Sequence, residues 1–159
     1  MDDKEEQLKT TQSKFLGAWC LELCRTEVSD ESSNSVDIIH PYGKDAKGIL
    51  MYSADGHVSV QIMNPDAPAS VNTGSVTGTS GETAIAVTHY LGYSGTFRIV
   101  AKDEGFHLFH RLECCSYPAW VGTEQKRYFS LEGDVLTLWG DPLPYQGKPS
   151  HTVLKWRKL

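Results

Sequence analysis

The strongest constraint on the fold of this chain is a series of short segments in which apolar and polar residues alternate, separated by glycine-containing turns. Alternation with a period of two places successive side chains on opposite faces of a strand. The turns Ala54-Asp55-Gly56, Asp103-Glu104-Gly105 and Glu132-Gly133-Asp134 are short enough to join antiparallel neighbours as hairpins. The pattern predicts strands over residues 17–26, 36–41, 47–54, 57–64, 94–101, 106–114, 123–131, 134–139 and 151–157.

A sheet built from sequential hairpins has two exposed edges, and closing the sheet into a barrel removes both. A barrel of about eight strands has an interior just wide enough for packed side chains or one small ligand. We therefore predict an all-β fold, a single antiparallel β-barrel of about eight to ten strands. The barrel domain is expected over residues 15–159, after a flexible or helical segment over residues 1–14.

Two regions interrupt the strand pattern. Residues 64–80 are rich in Pro, Ala, Ser, Thr and Gly and predict a long loop. Residues 81–92 carry apolar side chains near helical spacing and end at Gly92, which predicts one short helix that could cover a mouth of the barrel. Residues 140–150 predict a second loop, and their Gly-Lys pair lacks the spacing of a phosphate-binding loop.

The composition excludes several classes of partner. The net charge of −5 argues against nucleic-acid binding, which needs a basic face. No apolar run approaches the roughly 20 residues that span a bilayer, and the acidic start of the chain does not look like a secretory signal. We therefore expect a cytoplasmic protein without membrane partners. Its cysteines are expected to be reduced, with Cys20 and Cys24 on one face of the first strand.

Several motifs resemble a known group of barrels. Gly17-Ala18-Trp19 on the first strand looks like the Gly-x-Trp opening of lipocalins and the wider calycin group, and Arg157 is a candidate for the basic residue that caps this tryptophan. Four runs and His110 resemble the lipocalin-like domain family of bacteria and fungi; the runs are residues 48–63 (GILMYSADGHVSVQIM), 93–97 (YSGTF), 117–127 (YPAWVGTEQKR) and 133–138 (GDVLTL).

This resemblance covers roughly residues 15–158 and implies a calycin-type barrel. Fungal members that resemble this chain belong to natural-product pathways. The resemblance therefore implies that a small molecule is bound, or that a cyclisation or isomerisation step takes place in the barrel. A fold alone does not fix which of these functions applies.

Two strands are predicted to place polar groups in an apolar interior. Phe106, Leu108, His110 and Leu112 share one face of a strand that is otherwise apolar, so this face is expected inside. Because a buried imidazole must be hydrogen-bonded, His110 is either a structural histidine or a general acid/base that titrates near neutral pH.

The inward face of the next strand is predicted to hold Gln125, Arg127, Phe129 and Leu131. Arg127 could stabilise negative charge on a carbonyl or enolate oxygen of a ligand. The alternative is that its guanidinium forms a structural ion pair with Glu22 or Glu113.

Aromatic residues with polar tips supply candidate pocket walls. For residues 57–64 the face that carries Gln61 competes with the face that carries Val58, Val60 and Ile62, and the sequence leaves this open. The candidate catalytic residues are His110 and Arg127. The candidate substrate-binding residues are Trp120, Gln125, Tyr52, Tyr93, Tyr90, Gln61, Leu108 and Phe129.

No cofactor or metal ion is expected. His107 and His110 point to opposite faces of one strand, and the chain has neither a Gly-x-Ser-x-Gly elbow nor a dinucleotide-binding glycine fingerprint. Two hypotheses remain for a small hydrophobic metabolite inside the barrel: a cofactor-independent cyclase or isomerase, and a non-catalytic carrier. A third possibility is a solidly packed barrel that acts through its surface or as a homodimer.

Overall fold

The structure, a computed structural model, describes residues 3–68, 80–103 and 105–159. Within these residues the helices are α1 (Asp3–Phe15) and α2 (Ser80–His89), and a 3-10 turn spans Pro118–Trp120. The strands are β1 (Gly17–Asp30), β2 (Ser35–Ile39), β3 (Lys47–Tyr52), β4 (His57–Met63), β5 (Tyr90–Lys102), β6 (Gly105–Cys115), β7 (Glu124–Glu132), β8 (Val135–Trp139), β9 (Leu143–Tyr145) and β10 (Lys148–Lys158). Neither described helix is long and apolar enough to cross a membrane.

Eight of the strands close into an antiparallel barrel. Neighbours pair in the order β1-β3-β4-β5-β6-β7-β8-β10, and β10 pairs with β1 to complete the ring. The strands β2 and β9 lie outside the ring, where β2 pairs with the second half of β1 and β9 with the first residues of β10. The predicted all-β antiparallel barrel is therefore confirmed, as is the short helix near residues 81–92.

A β-bulge in β1 corrects one expectation from the sequence. The register between β1 and β10 shifts between Leu21 and Leu23, which inverts the alternation of side chains along the rest of the strand. Cys20 is consequently exposed while Cys24 is buried, so the prediction that these cysteines share a face is wrong. The bulge thereby places the Cys24 side chain inside the barrel.

Helix α1 closes one end of the barrel. Its last residue, Phe15, is fully buried and makes edge-to-face contacts with Tyr52 and Phe129, with ring centroids 5.3 and 4.9 Å apart. The indole N–H of Trp19 donates a hydrogen bond to the carbonyl oxygen of Phe15 at 2.8 Å. These contacts pack the rings of Phe15, Tyr52 and Phe129 tightly together at this end of the barrel.

The residue that caps Trp19 is Lys158 and not Arg157. Because Trp156 points into the barrel, alternation along β10 turns Arg157 outward, where it pairs with Glu22. The ammonium group of Lys158 lies 4.4 Å from the centroid of the Trp19 ring, a cation–π arrangement. The expected role of Arg157 is therefore wrong by one position.

The predicted loops are only partly loops. Residues 140–150 contain β9 and the start of β10, and β9 was missed because all three of its residues are exposed and the central one is Pro144. Residues 69–79, most of the predicted loop 64–80, lie outside the described residues, as does Glu104 of one predicted turn.

Close approach of two backbones makes Gly95 necessary. The pairing of β5 with β6 shifts register between Ser94 and Gly95. A Cβ atom on Gly95 would lie 1.8 Å from the carbonyl oxygen of Arg111, a separation that no side-chain movement can relieve. At Gly140 the nearest atom would be 3.6 Å away, which is an ordinary contact.

We expect Gly95→Ala to lower the free energy of unfolding by about 3 kcal/mol or more, because the strand must move to remove the overlap. Gly140→Ala serves as the control and should change it by less than about 1 kcal/mol. Urea denaturation followed by circular dichroism measures both values. Equal effects of the two substitutions would contradict this account of the β5–β6 contact.

Candidate functional site

The end of the barrel opposite α1 holds a cavity of about 540 Å³. Its wall is mainly apolar, and inward side chains from the barrel strands form it. These apolar residues are Leu50, Val60, Ile62, Leu91, Leu138, Leu154 and Trp156. A cavity of this volume and composition is typical of a site for a small, largely apolar molecule.

The cavity wall settles which face of β4 points inward. Val58, Val60 and Ile62 are each at most 3% exposed, so they form the inner face of this strand. Gln61 lies on the outer face, where its amide nitrogen donates a hydrogen bond to the hydroxyl of Ser59 at 2.8 Å. Gln61 therefore does not line the cavity.

His110 borders the cavity and is held by two tyrosines. The hydroxyl oxygen of Tyr52 lies 2.9 Å from its Nε2 atom, and the hydroxyl oxygen of Tyr93 lies 2.8 Å from its Nδ1 atom. Burial, and to a smaller extent the nearby positive charge of Arg127, lower the pKa of His110 to about 3. The imidazole is therefore neutral at physiological pH and both of its ring nitrogens are occupied.

The two tyrosines stay protonated in this environment. Burial raises the pKa of Tyr52 well above its ordinary value and that of Tyr93 to about 12, although the charge of Arg127 opposes both shifts. The three side chains therefore form a neutral hydrogen-bonded chain from the packed end of the barrel to the cavity.

Arg127 brings a positive charge to the cavity wall. One of its guanidinium nitrogens, Nη1, donates to the carbonyl oxygen of Lys126 at 2.9 Å. Within the described residues it forms no ion pair with a carboxylate: Glu22 pairs with Arg157, and Glu113 lies on the exposed face of β6. The expected pairing of Arg127 with Glu22 or Glu113 is therefore wrong.

The rim of the cavity is more polar. Trp120 lines it and is 39% exposed, and the amide nitrogen of Gln125 donates to the hydroxyl of Thr123 at 3.0 Å. Helix α2 contributes no side chain to the cavity wall. A hydrogen bond from the Tyr117 hydroxyl to the carbonyl oxygen of Val87 holds it next to the rim residue Trp120, against which the Tyr117 ring packs. That this helix covers a mouth of the barrel stays a prediction.

The structure brings half of the predicted site residues together. The cavity is lined by His110, Arg127, Gln125, Tyr93 and Trp120. Tyr52 lies behind His110, and Leu108 and Phe129 point inward but belong to the packed end of the barrel. The outer-surface residues are Gln61 and Tyr90, the latter 39% exposed.

Sequence reasoning missed the contribution of β10 to the cavity. Four alternate residues of this strand line it: Ser150, Thr152, Leu154 and Trp156. Their spacing of two is the signal that could have identified them. Cys24 was also missed, because the bulge in β1 leaves no clear trace in the alternation of the sequence.

Comparison with known proteins agrees with this architecture. Residues 16–159 match the family described as the lipocalin-like domain. The chain belongs to this family. No solved structure matches the chain.

A curated relative is 38% identical over 107 residues, which are 64% of this chain and 96% of the relative. It is the 4'-hydroxy-3'-methoxypropiophenone carrier protein ppsC of Aspergillus oryzae. The chain is thus similar to nearly the whole length of a protein named as a carrier protein.

The buried, neutral state of His110 predicts a pH dependence of stability. The pKa of His110 is about 3 in the folded chain and near 6.5 when exposed, so below pH 6.5 the unfolded chain binds a proton that the folded chain does not. As the pH falls from 6.5 to 3, the titration of His110 should therefore lower the free energy of unfolding by up to about 1.4 kcal/mol for each pH unit.

The measurement is urea denaturation at several pH values for the native protein and for His110→Gln, which removes the titrating group. We expect the native protein to lose stability more steeply than the variant as the pH falls below 6.5. Parallel curves for the two proteins would show that His110 titrates normally.

Proposed function

We propose that this protein binds and carries a small, mainly apolar aromatic molecule inside its barrel. The observation that carries the proposal is the 540 Å³ cavity, whose wall is mainly apolar and also holds polar groups, among them Arg127, which pairs with no carboxylate of the described residues. Apolar walls supply affinity through burial, while a few placed polar groups orient the ligand.

The compound in the relative's name has functional groups that match the wall of this cavity. The name 4'-hydroxy-3'-methoxypropiophenone describes an aromatic ring with a phenol, a methoxy group and a ketone. Such a molecule presents a flat apolar body to the aliphatic wall of the cavity and oxygen atoms to Arg127 and Tyr93. We therefore infer that an aryl ketone of this size is a suitable ligand for this chain.

The state of His110 favours a carrier over proton transfer. A general base works best when its pKa lies near the working pH, whereas the pKa of His110 is about 3. Both ring nitrogens are also hydrogen-bonded to tyrosines. Proton abstraction by His110 would require breaking one of these bonds.

A second candidate, a cofactor-independent isomerase or cyclase, is favoured by one observation. Arg127 lies at the cavity without a carboxylate partner in the described chain, and such a charge stabilises an enolate oxygen as it forms. Confinement of a flexible intermediate in a reactive conformation would add to this effect.

We also propose a cytoplasmic location. The cysteines Cys20, Cys24, Cys114 and Cys115 are all free thiols. Free thiols persist most readily in a reducing compartment.

Calorimetric titration with 4'-hydroxy-3'-methoxypropiophenone tests binding. We expect saturable binding to the native protein and at least a tenfold weaker affinity for Leu91→Trp, because the larger ring fills the cavity beside this half-buried residue. Tyr90→Trp, a change on the outer surface one residue earlier, is the control and should bind as the native protein does. Absence of binding to the native protein would overturn the proposal.

The same compound separates the carrier from the isomerase. An enzyme that stabilises the enolate should accelerate exchange of the hydrogens next to the ketone for deuterium in D₂O, which proton NMR follows directly. For a carrier we expect exchange at the rate of the buffer alone. Accelerated exchange that disappears in Arg127→Ala would instead support the isomerase.

A further inference from the structure

The chain of hydrogen bonds from Tyr52 through His110 to Tyr93 has a direction that the structure determines. We propose that His110 is a positioning residue that turns the hydroxyl hydrogen of Tyr93 into the cavity, where Tyr93 and Arg127 together recognise a carbonyl oxygen of the ligand. This inference rests on the proposed binding function and specifies the chemical class of the ligand.

The number of protons on a neutral imidazole limits the arrangement. Such a ring has one N–H donor and one nitrogen lone pair. Because a tyrosine hydroxyl contacts each nitrogen of His110, at 2.9 and 2.8 Å, one tyrosine donates its hydrogen and the other accepts. Two arrangements are possible, and they differ in which tyrosine keeps a free hydrogen.

The surroundings of Tyr52 decide between them. Tyr52 is 2% exposed, does not line the cavity and packs against Phe15 and Phe97, with ring centroids 5.3 and 4.7 Å away. Among the described residues its hydroxyl has no hydrogen-bond partner except His110. If Tyr52 accepted from His110, its own hydrogen would be buried among aromatic rings without an acceptor, which is unfavourable.

Tyr52 therefore donates to Nε2 of His110, and the proton of the imidazole lies on Nδ1. The Nδ1–H group donates to the hydroxyl oxygen of Tyr93, since this is the only described partner within hydrogen-bonding distance. Tyr93 then keeps a hydrogen that no described residue accepts. Its side chain lines the cavity, so an acceptor on the ligand can satisfy this hydrogen.

Arg127 supplies further donors at the same cavity. A guanidinium group has five N–H donors and no acceptor, and in the described chain only Nη1 of Arg127 has a partner, the carbonyl oxygen of Lys126. Tyr93 and Arg127 therefore both present unused donors to the cavity. A ligand oxygen that only accepts, such as a ketone carbonyl, complements this pair, whereas an alkyl group in its place would leave buried donors unpaired.

A pair of probes tests this recognition by calorimetry: 4'-hydroxy-3'-methoxypropiophenone and 2-methoxy-4-propylphenol, in which a methylene replaces the carbonyl. We expect the native protein to bind the ketone at least tenfold more tightly. Tyr93→Phe should remove most of this preference and leave the affinity for the propylphenol within about twofold. Tyr90→Phe removes a tyrosine hydroxyl on the outer surface and should keep the native preference.

The direction of the two hydrogen bonds of His110 can be measured without a ligand, by NMR. In ¹⁵N-labelled protein, the His110 signals should show a protonated, pyrrole-type Nδ1 and an unprotonated, pyridine-type Nε2, with assignment by comparison with His110→Gln. A proton on Nε2 would overturn the inferred direction.

The outcomes of the titrations separate the two proposals. Equal affinities of the native protein for both probes, or an undiminished preference in Tyr93→Phe, would overturn carbonyl recognition while leaving ligand binding intact. Failure of both probes to bind would overturn the proposed function, and with it the recognition of a carbonyl group.

Discussion

The pairing of β1 with β10 is the constraint on which the rest of the structure depends. It joins residues from Trp19 to Val28 with residues from Ser150 to Lys158, and so removes both free edges of the eight-stranded sheet. The same pairing encloses the cavity, because alternate residues of β10 form part of its wall. The pairing that closes the barrel therefore also completes the cavity, even though the two strands lie at opposite ends of the sequence.

The interior of the barrel has two regions, a packed end and an end that holds the cavity. At the end closed by α1, rings such as Phe15 and Trp19 fill the available space, which supplies the apolar burial that stabilises a domain of this size. At the other end the strands enclose the cavity. His110 lies between the two regions, and its hydrogen bonds to Tyr52 and Tyr93 connect them. A rigid base of packed rings thereby fixes the polar groups that a ligand meets, which lowers the entropy cost of binding.

Alternation in the sequence predicted which side chains point inward, and for that reason it placed His110 and Arg127 at the interior. It could not predict depth along the barrel axis, since a period of two carries no such information; Leu108 points inward as expected but lies in the packed end. Two other features of the cavity wall could not be predicted for separate reasons. Both faces of β4 contain apolar residues, so the sequence left open whether Gln61 points inward. The bulge that turns Cys24 inward depends on the pairing of β1 with β10, which the alternation within β1 does not reveal.

The bulge in β1 has a chemical consequence for whatever the barrel holds. It places a sulfur atom in the cavity wall, and natural products with unsaturated carbonyl groups react with thiolates. Burial raises the pKa of Cys24 to about 11, so the side chain is almost entirely an unreactive thiol at neutral pH. Cys24 is therefore a poor nucleophile toward electrophilic cargo, although its sulfur atom lies in the cavity wall.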